Sequence, residues 1–313
     1  MNLDPQIDHI LGLVKKAAYP ELWELSPEQA RAQLAKTMPI LDAKPVAVHT
    51  WEDKPIPVDD RLIPVRVFTP RLARSGELFP VLMWLHGGGF VVGSVQVYDS
   101  ICRLLAKKSD CIVVSVDYRL APEHKFPAGV EDCFAVLRWL GNNANEIGGD
   151  SSRIVVAGDS AGGNLAAVST ILARDAGGPN IVLQVLIYPG TAPHPESASH
   201  YEFSDGYFLN RKTILWFYAH YLQHESDCND FRFAPLLTTD LSGLPAALVI
   251  VAGYDPLRDE GIEYANRLRA AGNIVDFSNY RSMPHAFFSF SGAVDVSKQA
   301  IEQVANAVRK ACR

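Results

Sequence analysis

Six short β-rich runs, at 81–85, 111–116, 154–158, 182–188, 247–253 and 274–280, several of them apolar on consecutive positions, are separated by stretches with the period of a helix. A strand that faces water on one side alternates apolar and polar residues, whereas a strand covered on both faces reads as a continuous apolar run. Strands of that second kind, joined by helices, pair in parallel, because the crossover returns the chain to the same end of the sheet. The pattern predicts an α/β fold: a mostly parallel central sheet flanked by helices on both sides. Val130, Phe134, Leu137 and Leu140 recur at i, i+4, i+7 and i+10, one apolar stripe of such a helix, and Leu165, Val168 and Leu172 form another. Residues 62–68 also have strand character and are expected at an antiparallel edge of the same sheet.

Two stretches break the alternation and are expected to lie outside the sheet: residues 1 to about 50, and about 190–230. The second is rich in aromatics, with Phe203, Tyr207, Phe208, Trp216, Phe217, Tyr218 and Tyr221; the first offers Ile10, Leu13, Val14, Tyr19, Leu22 and Trp23. A chain of 313 residues could hold two domains at about 150 residues each, but one continuous α/β sheet reaches this size, and a single domain over 1–313 is expected.

The net charge is −6, with both signs interspersed, so neither a nucleic-acid groove nor a polybasic membrane patch is indicated, and a small neutral partner is favoured. The five cysteines, Cys102, Cys111, Cys133, Cys228 and Cys312, are odd in number and lack CxxC spacing. They read as reduced, mostly buried thiols of a cytoplasmic protein. No basic leader precedes an apolar core, and no segment approaches the 18 or so apolar residues of a membrane span. His220 and His224 are four apart on an expected helix, but position 221 is Tyr and no third ligand is fixed by spacing, so no metal is expected.

The run 154–157 leads directly into Gly158-Asp159-Ser160-Ala161-Gly162-Gly163-Asn164. A serine is thereby placed at the tip of a strand-to-helix turn, with Gly158 and Gly162 allowing other chain segments to approach. An isolated serine hydroxyl is a poor nucleophile near neutrality and needs a base within hydrogen-bond reach. His285 is the best placed of nine histidines, because loops after parallel strands converge at the carboxyl edge of the sheet. A third group must orient the base, and Asp255, just past another strand, is the natural one, with Asp259 as the alternative. Asp255 could equally cap a helix that begins at Pro256.

The pairing of His86-Gly87-Gly88-Gly89-Phe90 with that serine motif, together with residues 116–123 (VDYRLAPE) and 255–261 (DPLRDEG), resembles the hormone-sensitive-lipase family of α/β-hydrolase carboxylesterases. The resemblance covers about 60–310. It implies a Ser160–His285–Asp255 triad acting through an acyl-enzyme. Backbone N–H groups of Gly88, Gly89 and Ala161 would form the oxyanion hole, and His86 and Gly87 would have a structural part in the glycine loop. It also implies no metal or cofactor, and a helical cap formed by about 1–50 and 190–230. The substrate would be a small neutral ester of short to medium acyl chain. Similar proteins dimerise through the strand at 274–280, so monomer and homodimer both stay open.

Two other classes compete for part of the pattern. Gly87, Gly89 and Gly93 after a strand, with Asp117 ending the next, loosely imitate a dinucleotide fingerprint. That reading leaves the serine motif, Asp255 and His285 without a role, and Asp117 is expected to bond within its own turn. A catalytically dead receptor on the same fold would be expected to lack a triad member, and Ser160, Asp255 and His285 are all present.

Overall fold

The computed structural model describes residues 2–58 and 61–313. Its centre is an eight-stranded sheet in the order β1-β2-β4-β3-β5-β6-β7-β8, with β1 at Thr50–Val58, β2 at Arg61–Thr69, β3 at Phe79–Leu85, β4 at Ile112–Val116, β5 at Gly149–Asp159, β6 at Ile181–Ile187, β7 at Ala247–Tyr254 and β8 at Val275–Pro284. From β4 to β8 all neighbours are parallel, while β1 and β2 pair antiparallel with each other and β2 with β4.

Helices cover both faces for the reason the strand composition demands. In β3, Val81, Met83 and Leu85 share one buried cluster with Val136 and Leu137 of α4 (Ala128–Asn143) and Leu165 and Val168 of α5 (Ala161–Asp175). The intervening Leu82 and Trp84 share the opposite cluster with Ile101 and Leu105 of α3 (Asp99–Ser109) and Ile301 and Val304 of α9 (Asp295–Ala311). Alternate side chains point to opposite faces, and here both faces are apolar. Each such side chain contributes roughly 1.5–3 kcal/mol on full burial, so a polar residue at Leu82 or Met83 would break one layer.

The parallel core lies where the apolar runs predict it, and residues 62–68 are antiparallel as expected. They are not the edge, however: β1 lies outside β2. Its sequence, Thr50 to Val58, carries two prolines and several charges and reads poorly as a strand. Proline is tolerated on an edge strand, where the missing N–H faces solvent, and Pro55 stands opposite Pro64. At the other end, β8 continues to Pro284, so that His285 follows the strand directly.

Residues 2–49 and 188–246 contribute no strand. They hold α1 (Pro5–Ala17) and α2 (Pro27–Leu41) in the first stretch, and α6 (Ala198–Glu202) and α7 (Arg211–Tyr221) in the second. α1 starts from Asp4, whose backbone N–H bonds the Ser282 carbonyl near the carboxyl end of β8.

Candidate active site

Ser160 joins β5 to α5 with φ 56° and ψ −119°, a backbone conformation that costs of order 1–3 kcal/mol for a non-glycine residue. The surroundings enforce it. The Ser160 amide donates to the Ile187 carbonyl of β6 at 2.8 Å, and α5 crosses so close beneath β3 that a Cβ at Gly162 would collide with the Leu85 carbonyl.

His285 Nε2 stands 2.9 Å from Ser160 Oγ, and His285 Nδ1 stands 2.8 Å from Asp255 Oδ2. With the Nδ1 proton directed to the carboxylate, Nε2 is free to accept the serine proton. Strand register explains how residues 30 positions apart meet: Tyr254 pairs with Pro284, so the next residue of each chain leaves the sheet side by side. A bulge around Gly253 brings the strands so close that a Cβ there would strike Arg281. Asp255 is fully buried and His285 nearly so. The second oxygen of Asp255 accepts the Leu257 amide at 2.8 Å, so the carboxylate serves the turn as well as the imidazole. α8 begins at Arg258, so Pro256 is not its first residue. Asp259 is engaged elsewhere, by Arg258 Nε and the Ser199 amide.

After β3 the chain turns through Gly88 (φ 119°), Gly89 (φ 59°) and Phe90 (φ 64°). A side chain at Gly88 would collide with the Val92 carbonyl and one at Gly89 with the Phe217 ring, so glycine is needed at both. Gly89, Ser160 and Ala161 line one cavity; Gly88 lies just behind it, its carbonyl accepting the Val91 and Val92 amides. Ala161 opens α5, where unpaired N–H groups and the helix dipole favour negative charge.

His86 is buried, stacked on Tyr118 with ring centroids 4.4 Å apart, and its Nδ1 donates to the Gly87 carbonyl at 2.8 Å. Burial lowers its pKa, keeping it neutral. The Gly87 amide donates to Asp159 Oδ1 at 2.9 Å, and Tyr98 OH to the other oxygen at 3.1 Å. Burial pushes the Asp159 carboxyl up to about 6, opposed by the Tyr98 hydrogen bond and the nearby His285.

The cavity has a volume of about 50 Å³, and its outer wall comes from Leu209, Ile214, Phe217 and Tyr218. Among the aromatics singled out in the sequence, Phe217 and Tyr218 reach it, while Phe203 and Tyr207 pack against Tyr254 and Phe208 against Phe290. Several residues that shape the site carry no readable signal of that task. Asn164 Nδ2 bonds the Gly190 and Phe233 carbonyls, and Glu260 Oε1 accepts the Thr191 and Ala192 amides while Oε2 meets His200 Nε2 at 2.8 Å. The hint available is position alone: Asp159 and Asn164 lie inside the serine motif and Glu260 inside the segment 255–261.

The competing patterns find no geometric support. After the glycine loop the chain runs on to residue 98 before α3 begins, so no helix opens directly from the loop as a dinucleotide fingerprint would require. Asp117 reaches the Val95 amide at 3.5 Å rather than bonding within its own turn. His220 packs against Trp216, and among the described residues no group of three or more His, Cys, Asp or Glu side chains is placed to hold a metal. All five cysteines are unpaired and buried. No helix among the described residues is long and apolar enough to cross a membrane.

A family model described as the alpha/beta hydrolase fold matches residues 82–289. The carboxylesterase NlhH of Mycobacterium tuberculosis is 45% identical over 253 residues, 80% of this chain and 78% of that protein. An ethyl acetate hydrolase of Pseudomonas putida is 32% identical over 321 residues, 99% of each. Among solved structures, an ester hydrolase from the metagenome of Lake Arreo, Spain, complexed with a bipyridine phosphonate derivative, superposes with a TM-score of 0.94 at 40% identity, covering 98% of both chains.

Proposed function

The chain belongs to the α/β-hydrolase family, in its hormone-sensitive-lipase-like branch of carboxylic ester hydrolases, and we propose that it cleaves small neutral esters of short acyl chain through Ser160, His285 and Asp255. The observation that carries the reading is the unbroken line of hydrogen bonds from Asp255 through His285 to Ser160, at 2.8 and 2.9 Å.

In the reaction, His285 Nε2 takes the proton of Ser160 Oγ as that oxygen attacks the ester carbonyl. Asp255 holds the imidazole in the accepting tautomer and stabilises the imidazolium that forms. Charge developing on the carbonyl oxygen is met by the N–H groups of Gly88, Gly89 and Ala161, each worth about 3–4 kcal/mol to the transition state. His285 then returns the proton to the departing alcohol, and water repeats the sequence on the acyl-enzyme.

Acyl length follows from volume. A cavity of about 50 Å³ closed on one side by the Phe217 ring favours the smaller acyl groups. Short acids, acetyl to butyryl, are therefore the expected best substrates, and the similarity to an ethyl acetate hydrolase points the same way. In this reading residues 1 to about 50 and 190–230 cap a single domain, and α7 supplies the lid over the acyl group.

The test is initial rates on p-nitrophenyl acetate, butyrate, hexanoate, octanoate and palmitate, with Ser160→Ala as the blank. The reading requires a Ser160-dependent signal that peaks at the short end. Equal inertness of folded wild type and variant would remove the triad, and a peak at palmitate would remove the size argument alone.

A further inference from the structure

We propose that Arg31, on α2 in the N-terminal segment, is a positioning residue for the oxyanion loop, so that this segment takes part in turnover as well as in covering the domain. The inference rests on the reading of Gly88 and Gly89 as oxyanion donors. Arg31 Nε donates to the Val91 carbonyl at 2.8 Å, and one terminal nitrogen donates to the Ala121 carbonyl at 2.8 Å. The two terminal nitrogens also grip Glu123 at 2.8 and 2.7 Å. A planar guanidinium can satisfy these partners together, which an ammonium cannot.

Both carbonyls are tied to the glycine loop. The Val91 amide bonds the Gly88 carbonyl at 3.1 Å, and the Ala121 amide bonds the Phe90 carbonyl at 2.9 Å. The guanidinium therefore bridges two segments, 88–91 and 121–123, each hydrogen-bonded to the turn. That turn needs outside support, because Phe90, directly after Gly88 and Gly89, is a non-glycine residue at positive φ, a conformation that persists only where neighbours over-determine it. On the inner side Asp159 holds Gly87. Above, Tyr221 stacks on Phe90 with ring centroids 4.0 Å apart. Arg31 is a further grip.

No residue of α2 lines the cavity, so Arg31 reaches the chemistry only through the loop. Its carboxylate partner is more than half exposed, and an exposed ion pair contributes little to stability. Loss of Arg31 is thus expected to lower kcat and spare both KM and the fold.

The test uses full-length Arg31→Ala and Arg31→Lys with p-nitrophenyl butyrate, and a trifluoromethyl ketone whose hemiketal with Ser160 would carry an oxyanion. A misplacement of about 1 Å can cost about a hundredfold; for a loop still held by Asp159, His86, Tyr221 and the Ala121 amide, a fall in kcat of about tenfold is expected. KM should stay within about twofold, ketone affinity should weaken in step with kcat, and millimolar guanidinium should restore part of the Arg31→Ala rate. Arg31→Lys should fall between, since it can reach only one of the two carbonyls, and it decides the matter if the alanine variant does not fold. Unchanged kcat in both variants, or a loss that tracks the unfolded fraction and ignores guanidinium, overturns the proposal. If the wild type itself lacked Ser160-dependent turnover, the underlying reading would fall with it, and the Ser160→Ala blank separates the two cases.

Discussion

The two walls of the small cavity are built by different physics. The inner wall, Gly89, Ser160 and Ala161 with His285 and Asp255 behind, is set by strand register, glycines and hydrogen bonds of 2.8–2.9 Å. The outer wall, Leu209, Ile214, Phe217 and Tyr218, comes from the stretch that interrupts the sheet and is held by apolar packing. Directional bonds over-determine atom positions, whereas packing fixes volume more than orientation. The inner wall should therefore govern rate, and the outer wall which ester is accepted.

The largest test of that division is on the inner wall. Ser160→Ala should lower kcat by roughly 10⁶-fold and Asp255→Asn by roughly 10⁴-fold, each with the thermal midpoint nearly unchanged. A residual rate in Ser160→Ala within tenfold of wild type would end the assignment.

Next comes the buried carboxyl behind the loop. Asp159 is raised to about 6 by burial, and Asp42, whose partners are Ser291 and the Ala43 amide, is also raised to about 6 by burial. Between about pH 4, where the unfolded carboxyl ionises, and pH 6, the folded chain binds more protons than the unfolded one. Stability therefore falls as pH rises through that window, by at most about 3 kcal/mol for each group. Asp159→Asn and Asp42→Asn should each flatten the dependence of the thermal midpoint on pH. Only Asp159→Asn should also lower kcat, because of the two carboxyls only Asp159 accepts the Gly87 amide. Equal kcat in the two variants would unlink Asp159 from the loop.

The smallest effect on rate belongs to the outer wall. Phe217→Ala removes the ring packed on Gly89 and should move the acyl optimum from short esters toward hexanoate and octanoate. The ratio of octanoate to acetate kcat/KM should rise about tenfold, consistent with about 1–3 kcal/mol per methylene-scale change in a pocket, at a cost of about 3 kcal/mol in stability. An unchanged chain-length profile would show that the volume is set elsewhere.

Legibility followed the range of the interaction. Consecutive apolar residues in β3 to β7 told of a sheet covered on both faces, because the cause is local to each strand. Ser160 was readable for the same reason: the strand, glycines and helix that aim it lie within a few residues. β1 was not, since Pro55 and its charged neighbours are acceptable only at an edge, and being at an edge is a property of the whole sheet. Arg31 left no trace at all, because its partners are 60 to 92 positions away.

By itself, then, the chain's sequence determined the parallel α/β layering, the strained turn at Ser160 and the short list from which a base and its orienting carboxylate could be drawn. The tertiary structure decided which carboxylate met the base, by pairing Tyr254 with Pro284 so that Asp255 rather than Asp259 lies against His285. It also decided the cavity's size, by setting Phe217 against Gly89. Residue type and spacing act within one segment, whereas register and free volume are properties of pairs of segments that meet only when the chain is folded.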